Sequence, residues 1–85
     1  MYVAQLRLNA SERRLSAQQM AGLFLSGRIP EDRVEHVHVL PECGRMSVTV
    51  FLLAASQADA ECAARRFCVR VLLATPELAG WSLEC

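Results

Sequence analysis

The chain has no lysine: all nine of its basic residues are arginine, and Ile29 is its single isoleucine. That bias, with abundant alanine, resembles the composition expected of a high-GC bacterial source. An excess of either charge is also missing, since nine basic residues face nine acidic ones. A neutral chain lacks the concentrated positive field that phosphate binding needs, which argues against nucleic acid as the main partner. It also argues against a polybasic membrane anchor. Long apolar runs are absent, so no stretch predicts a bilayer span. The N-terminus shows no charged-then-apolar leader pattern, and a cytoplasmic location is expected.

The four cysteines, Cys43, Cys62, Cys68 and Cys85, match neither a zinc spacing nor a Cys-x-x-Cys redox motif. On a helix, Cys62 and Cys68 would lie about 120° apart around the axis, unsuited to pairing or to sharing a metal. They read as free thiols that behave as small hydrophobes in a reducing compartment. No metal site and no cofactor is expected.

What is present begins with Met46 to Ala54, Met-Ser-Val-Thr-Val-Phe-Leu-Leu-Ala. Its β-branched and aromatic residues at a two-residue period make it the strongest strand in the sequence. Tyr2 to Asn9 alternates in the same way, with Tyr2, Ala4, Leu6 and Leu8 on one face. Ser16 and Gln19 form a capping box, and Leu15 with Met20 a hydrophobic staple. These open a short helix over 17–26, with Ala17, Met20, Ala21 and Phe24 buried and Gly27 as its C-terminal stop. Val34 to Leu40 is a second strand, followed by a tight turn at Pro41-Glu42-Cys43-Gly44. Ser56 caps a second helix over 57–74, whose inward stripe is Ala60, Ala63, Ala64, Phe67, Val71 and Ala74. Arg65, Arg66 and Arg70 read as its solvated flank. Pro76 ends it, and Trp81 to Glu84 makes a last short strand.

The order β-α-β-β-α-β over a chain of 85 residues predicts one domain spanning 1–85. It resembles the ferredoxin-like α+β sandwich: a four-stranded antiparallel sheet in the order 4-1-3-2, with two helices on one face. The motifs of several families with this fold are missing. RNA-recognition domains carry aromatics on both central strands; here only Phe51 would face outward. A Cys-x-x-Cys metal loop, a glycine-rich anion loop and a regulatory-domain glycine are all lacking after the first strand.

The hairpin register follows from keeping Val37 and Val39 on one face with Met46, Val48 and Val50. Paired residue numbers must then sum to an odd value. A four-residue turn satisfies this and pairs Leu40 with Arg45, His38 with Ser47, His36 with Thr49 and Val34 with Phe51. A three-residue turn would bury both histidines and is rejected.

Two helices on one face leave the other bare. Val3, Val34, Phe51 and Leu53 are expected to gather at one end of it as a dimer interface. Burying about 300 Å² there would gain roughly 7 kcal/mol before association costs. Arg7, His36, His38 and Thr49 are expected nearer the polar end as a ligand-binding set. The expected function is a small non-catalytic homodimeric interaction or accessory protein, associated with a bacterial biosynthetic pathway. Its partners would be a second copy through the open face, or a protein or small-molecule ligand. The alternative is a cofactor-free monooxygenase or isomerase acting on a hydrophobic metabolite, with His36 or His38 as acid–base group.

Overall fold

The computed structural model of the protein describes residues 1–10, 16–42, 45–78 and 80–83. Leu15 of the expected staple, Arg13, Arg14, Cys43, Gly44, Glu84 and Cys85 lie outside the described residues. Six elements follow in the expected order: β1 (Tyr2–Ala10), α1 (Ala17–Ser26), β2 (Val34–Glu42), β3 (Arg45–Leu52), α2 (Gln57–Ala74) and β4 (Trp81–Leu83). Single 3₁₀ turns at Pro30–Asp32 and Pro76–Leu78 join α1 to β2 and α2 to β4.

Both helices begin where a side-chain oxygen satisfies an orphan amide. Ser16 Oγ accepts from the Gln19 N–H at 3.1 Å, and Gln19 Oε1 accepts from the Ser16 N–H at 3.1 Å, which completes the capping box. Ser56 Oγ accepts from the Asp59 N–H at 3.2 Å. Gly27 ends α1, but its φ of −87° is one any residue adopts. Its need is for space: a Cβ there would come within 2.9 Å of Val71 Cγ2 on α2.

The sheet is antiparallel throughout, in the order β2-β3-β1-β4, the expected order read from the opposite edge. Alternation along each strand sends Ala4, Leu8, Val37, Val39, Met46, Val48, Val50 and Leu52 to one side. There they meet Met20 and Phe24 of α1 and Ala60, Ala64, Phe67, Cys68 and Val71 of α2. Phe24 and Phe67 lock the two helices, their ring centroids 5.9 Å apart. Cys68 is buried in the α2 stripe where Ala74 was expected, and Ala74 is exposed.

The β2–β3 hairpin differs from expectation by two residues. Glu42 pairs with Arg45 and Leu40 with Ser47, so the strands continue through Pro41 and Glu42 and enclose only residues 43–44. A two-residue connection suits the twist of a hairpin better than a longer one. The parity is unchanged, which keeps both histidines out of the core, but every partner moves. His38 faces Thr49, and His36 faces Phe51.

Candidate functional site

The face of the sheet away from the helices is built row by row. Val3, Phe51 and His36 form one row across β1, β3 and β2; Gln5, Thr49 and His38 form the next. Arg7, Ser47 and Leu40 follow, then Asn9, Arg45 and Glu42, with Ser82 of β4 beside Asn9. Polar groups on this face bond to one another. Gln5 Nε2 donates to Ser47 Oγ at 2.8 Å, and Ser47 is buried beneath its neighbours. Arg7 Nε lies 3.8 Å from a Glu42 carboxylate oxygen, both side chains about half exposed, a pair of little energetic weight.

Val34 is not part of this face. The register shifts between Val34 and His36, where Glu35 is the extra residue of a β-bulge. Arg33 enters the bulge in the left-handed region, with φ of 55°. Arg28 Nη1 donates to the carbonyls of both Val34 and Glu35, at 3.2 and 3.3 Å. The extra residue turns Val34 over, so that it pairs with Leu52 and is 7% exposed in the core. The expected apolar cluster is therefore reduced to Val3 and Leu53, 45% and 46% exposed, beside a half-buried Phe51. In place of Val34, the His36 ring packs beside Phe51, centroids 6.1 Å apart.

Of the expected ligand set, His38 and Thr49 are cross-strand partners and His36 is two residues along the same strand. Arg7 sits across β3 from Leu40, engaged with Glu42. This arrangement can donate and accept hydrogen bonds to a polar partner laid across it. No group of three or more His, Cys, Asp or Glu side chains suited to a metal ion occurs among the described residues. Two clefts lined by described residues lie elsewhere. One of about 330 Å³ is lined by Arg28, Ile29, Pro30, Arg33, Val34 and Glu35 at the end of β2. The other, about 370 Å³, lies between Ala4–Leu6 of β1 and Glu61, Cys62 and Arg65 of α2. Neither contains a histidine.

The strongest polar contact was invisible to sequence patterning. Arg70, placed by periodicity on the solvated flank of α2, donates from Nη1 and Nη2 to the two carboxylate oxygens of Asp32, at 2.7 and 2.5 Å. Nη2 also donates to the Gly27 carbonyl at 2.9 Å. Asp32 accepts in addition from the Ile29 N–H at 3.0 Å. The Arg70 hydrogen bonds hold the Asp32 carboxyl below its ordinary range against the opposing effect of burial. Burial pushes the Cys68 thiol up to about 12, so it stays protonated and unreactive. Trp81 Nε1 is buried with no acceptor among the described residues.

These features define a small α+β protein with an open sheet. Comparison with protein-family models, with curated proteins and with solved structures gives no match.

Proposed function

We propose that this chain is a non-catalytic interaction module of ferredoxin-like type that works as a homodimer and offers its uncovered sheet face to a partner. The observation that carries the reading is the bare face itself. Val3 and Leu53 stand nearly half exposed there beside Phe51, with His36, His38 and Thr49 next to them. An apolar cluster ringed by hydrogen-bonding groups is the composition of a contact surface. The use of arginine for every basic residue and the free thiols Cys62 and Cys68 support a bacterial cytoplasm.

The loss of Val34 changes how that surface works. The three remaining residues expose roughly 200 Å² of apolar area, worth about 5 kcal/mol when covered. That is comparable with the cost of association alone, about 4–15 kcal/mol. The face therefore suits a transient protein partner better than the stable packing of two copies.

The enzyme reading needs an apolar pocket with a catalytic group in its wall. Beneath the sheet Leu8, Met20, Phe24, Val48, Val50, Leu52 and Phe67 are fully inaccessible to solvent. The histidines stand outside it on the open face.

Wild type is expected to sediment as a dimer at micromolar concentration and to bind a hydrophobic dye in the native state. Phe51→Asp is expected to reduce dye binding several-fold without lowering the melting temperature. A monomer at all concentrations would remove the homodimer, and dye binding unchanged by Phe51→Asp would remove the contact surface.

A further inference from the structure

The outer edge of β2 carries no neighbouring strand among the described residues. The direction of its backbone groups follows from contacts elsewhere in the sheet. The Leu53 N–H donates to the Arg33 carbonyl at 3.0 Å, so odd-numbered residues of β3 aim their polar backbone groups at β2. Gln57 Nε2 donates to the Val3 carbonyl at 2.9 Å, which places that carbonyl on the side away from β3 and agrees with the same alternation. His36, His38 and Leu40 therefore bond to β3, and Val37, Val39 and Pro41 aim outward. Pro41 has no N–H to offer on that side.

We propose that β2 pairs antiparallel with β2 of a second copy, about a two-fold axis through His38, joining the two sheets into one. The inference rests on the reading that the chain self-associates, and assigns the stable contact to this edge. Outward-facing residues must meet outward-facing residues, which leaves registers centred on Val37, His38 or Val39. Centred on His38, each Val37 exchanges both backbone bonds with the partner's Val39. Pro41 then lies opposite the partner's Glu35. The donor that proline lacks would have served the Glu35 carbonyl, and that carbonyl already accepts from Arg28. Centred on Val39, Pro41 would leave the Val37 carbonyl without a donor. Centred on Val37, the Val39 amide would compete with Arg28 for the Glu35 carbonyl. A bulge and a proline are also devices by which lone edges avoid partners. Here they sit at opposite ends, leave the middle open, and complement each other under a two-fold.

Two further features fit a second copy. Helical spacing sets Ala17, Ala21 and Leu25 on one flank of α1. Arg28, two residues past the end of α1, reaches the β2 edge, and α1 itself packs against β2. Ala17, Ala21 and Leu25 are only partly buried there, an apolar strip of small residues with one leucine that a second α1 would cover. The antiparallel partner also brings its Pro41–Glu42 end against the cavity lined by Arg28, Ile29, Pro30, Arg33, Val34 and Glu35. Two arginines in that lining outnumber its one carboxylate and suit the acidic Glu42 at the end of the partner's β2. The joined sheet carries both apolar patches on one face, so a bivalent partner engages two at once.

The test is a cysteine scan in a Cys43→Ser, Cys62→Ser, Cys85→Ser background with oxidised glutathione as oxidant. Residues opposite each other in a non-hydrogen-bonded antiparallel pair lie within disulfide reach. His38→Cys is expected to convert most chains to a covalent dimer, and Phe51→Cys, on the open face, none. In wild type, amide exchange at Val37 and Val39 should slow at least about tenfold from dilute to concentrated protein, as buried edge amides do. Phe51→Asp should remain a dimer by sedimentation. Cross-linking through Phe51→Cys and not His38→Cys would overturn the edge pairing while leaving self-association intact. A wild-type monomer with unprotected Val37 and Val39 amides would overturn both.

Discussion

Asp32 and Arg70 tie together three parts of the chain that sequence separates: the 3₁₀ turn before β2, the end of α1 at Gly27, and the C-terminal part of α2. The Asp32 side chain is 10% exposed, whereas that of Arg70 is 38% exposed, so water screens part of the pair. Arg70→Ala is expected to cost about 2 kcal/mol, less than a buried pair would, because a shielded carboxylate loses its partner. That amounts to a fall of about 10 °C in melting temperature. Arg70→Lys should recover only part of it, since an ammonium cannot make the two-pronged contact. The pH dependence has a definite sign. Asp32 has a folded pKa below its ordinary value of 3.8. The unfolded chain therefore takes up the proton first as pH falls. The contribution is fully present at neutral pH and is lost as pH drops from about 4 through the lowered value. Denaturant melts of wild type and Arg70→Ala should differ most at neutral pH and converge in acid.

The meeting of α1 with α2 turns on one missing side chain. Gly27 lets Val71 sit where a methyl group would otherwise be, 2.9 Å from a Cβ built at that position. Its backbone is right-handed, so substitution is opposed by packing alone. Gly27→Ala should cost about 1–2 kcal/mol through this overpacking. Val71→Ala should cost roughly 2–3 kcal/mol through the cavity it leaves. The double variant should be more stable than the sum of the two costs by at least about 0.5 kcal/mol, since the new methyl occupies vacated space. Additive urea midpoints would show that Val71 is not what constrains Gly27. The β-bulge in β2 belongs to the same level. A single inserted residue, Glu35, held by Arg28, moves Val34 into the core and places His36 against Phe51.

At the scale of the molecule, the sheet is unevenly secured. β3 has neighbours on both sides and its residues Val48, Val50 and Leu52 are fully buried. Among the described residues β4 spans three, Trp81–Leu83, and pairs with Leu8 to Ala10 of β1. Hydrogen exchange should therefore show β3 amides opening only with the whole molecule and β4 amides opening earlier, by local release of the edge. Equal protection of the two strands would contradict this. Trp81, the single tryptophan, lies in β4, so its fluorescence reports on that early step. The same unevenness separates the surfaces. Among the described residues one side is sealed by helices, the other has no helical cover, and the β2 edge has no neighbouring strand.

Local physics was legible in the sequence. Ser16 with Gln19, and Ser56 with Asp59, mark the helix starts because a cap is a contact between near neighbours. Period-two alternation marks the strands, and odd parity in the hairpin keeps His36 and His38 outward, because both depend on the pleat alone. What only the tertiary structure decided is set by groups distant along the chain. The register moved by two because parity does not distinguish registers two apart. Val34 left the open face because Arg28, six residues away in the connection after α1, holds the bulge that turns it. Arg70 left the solvated flank because its acceptor lies thirty-eight residues upstream. Periodicity states which side of an element is apolar; it carries no information about which polar group of another element waits at its margin.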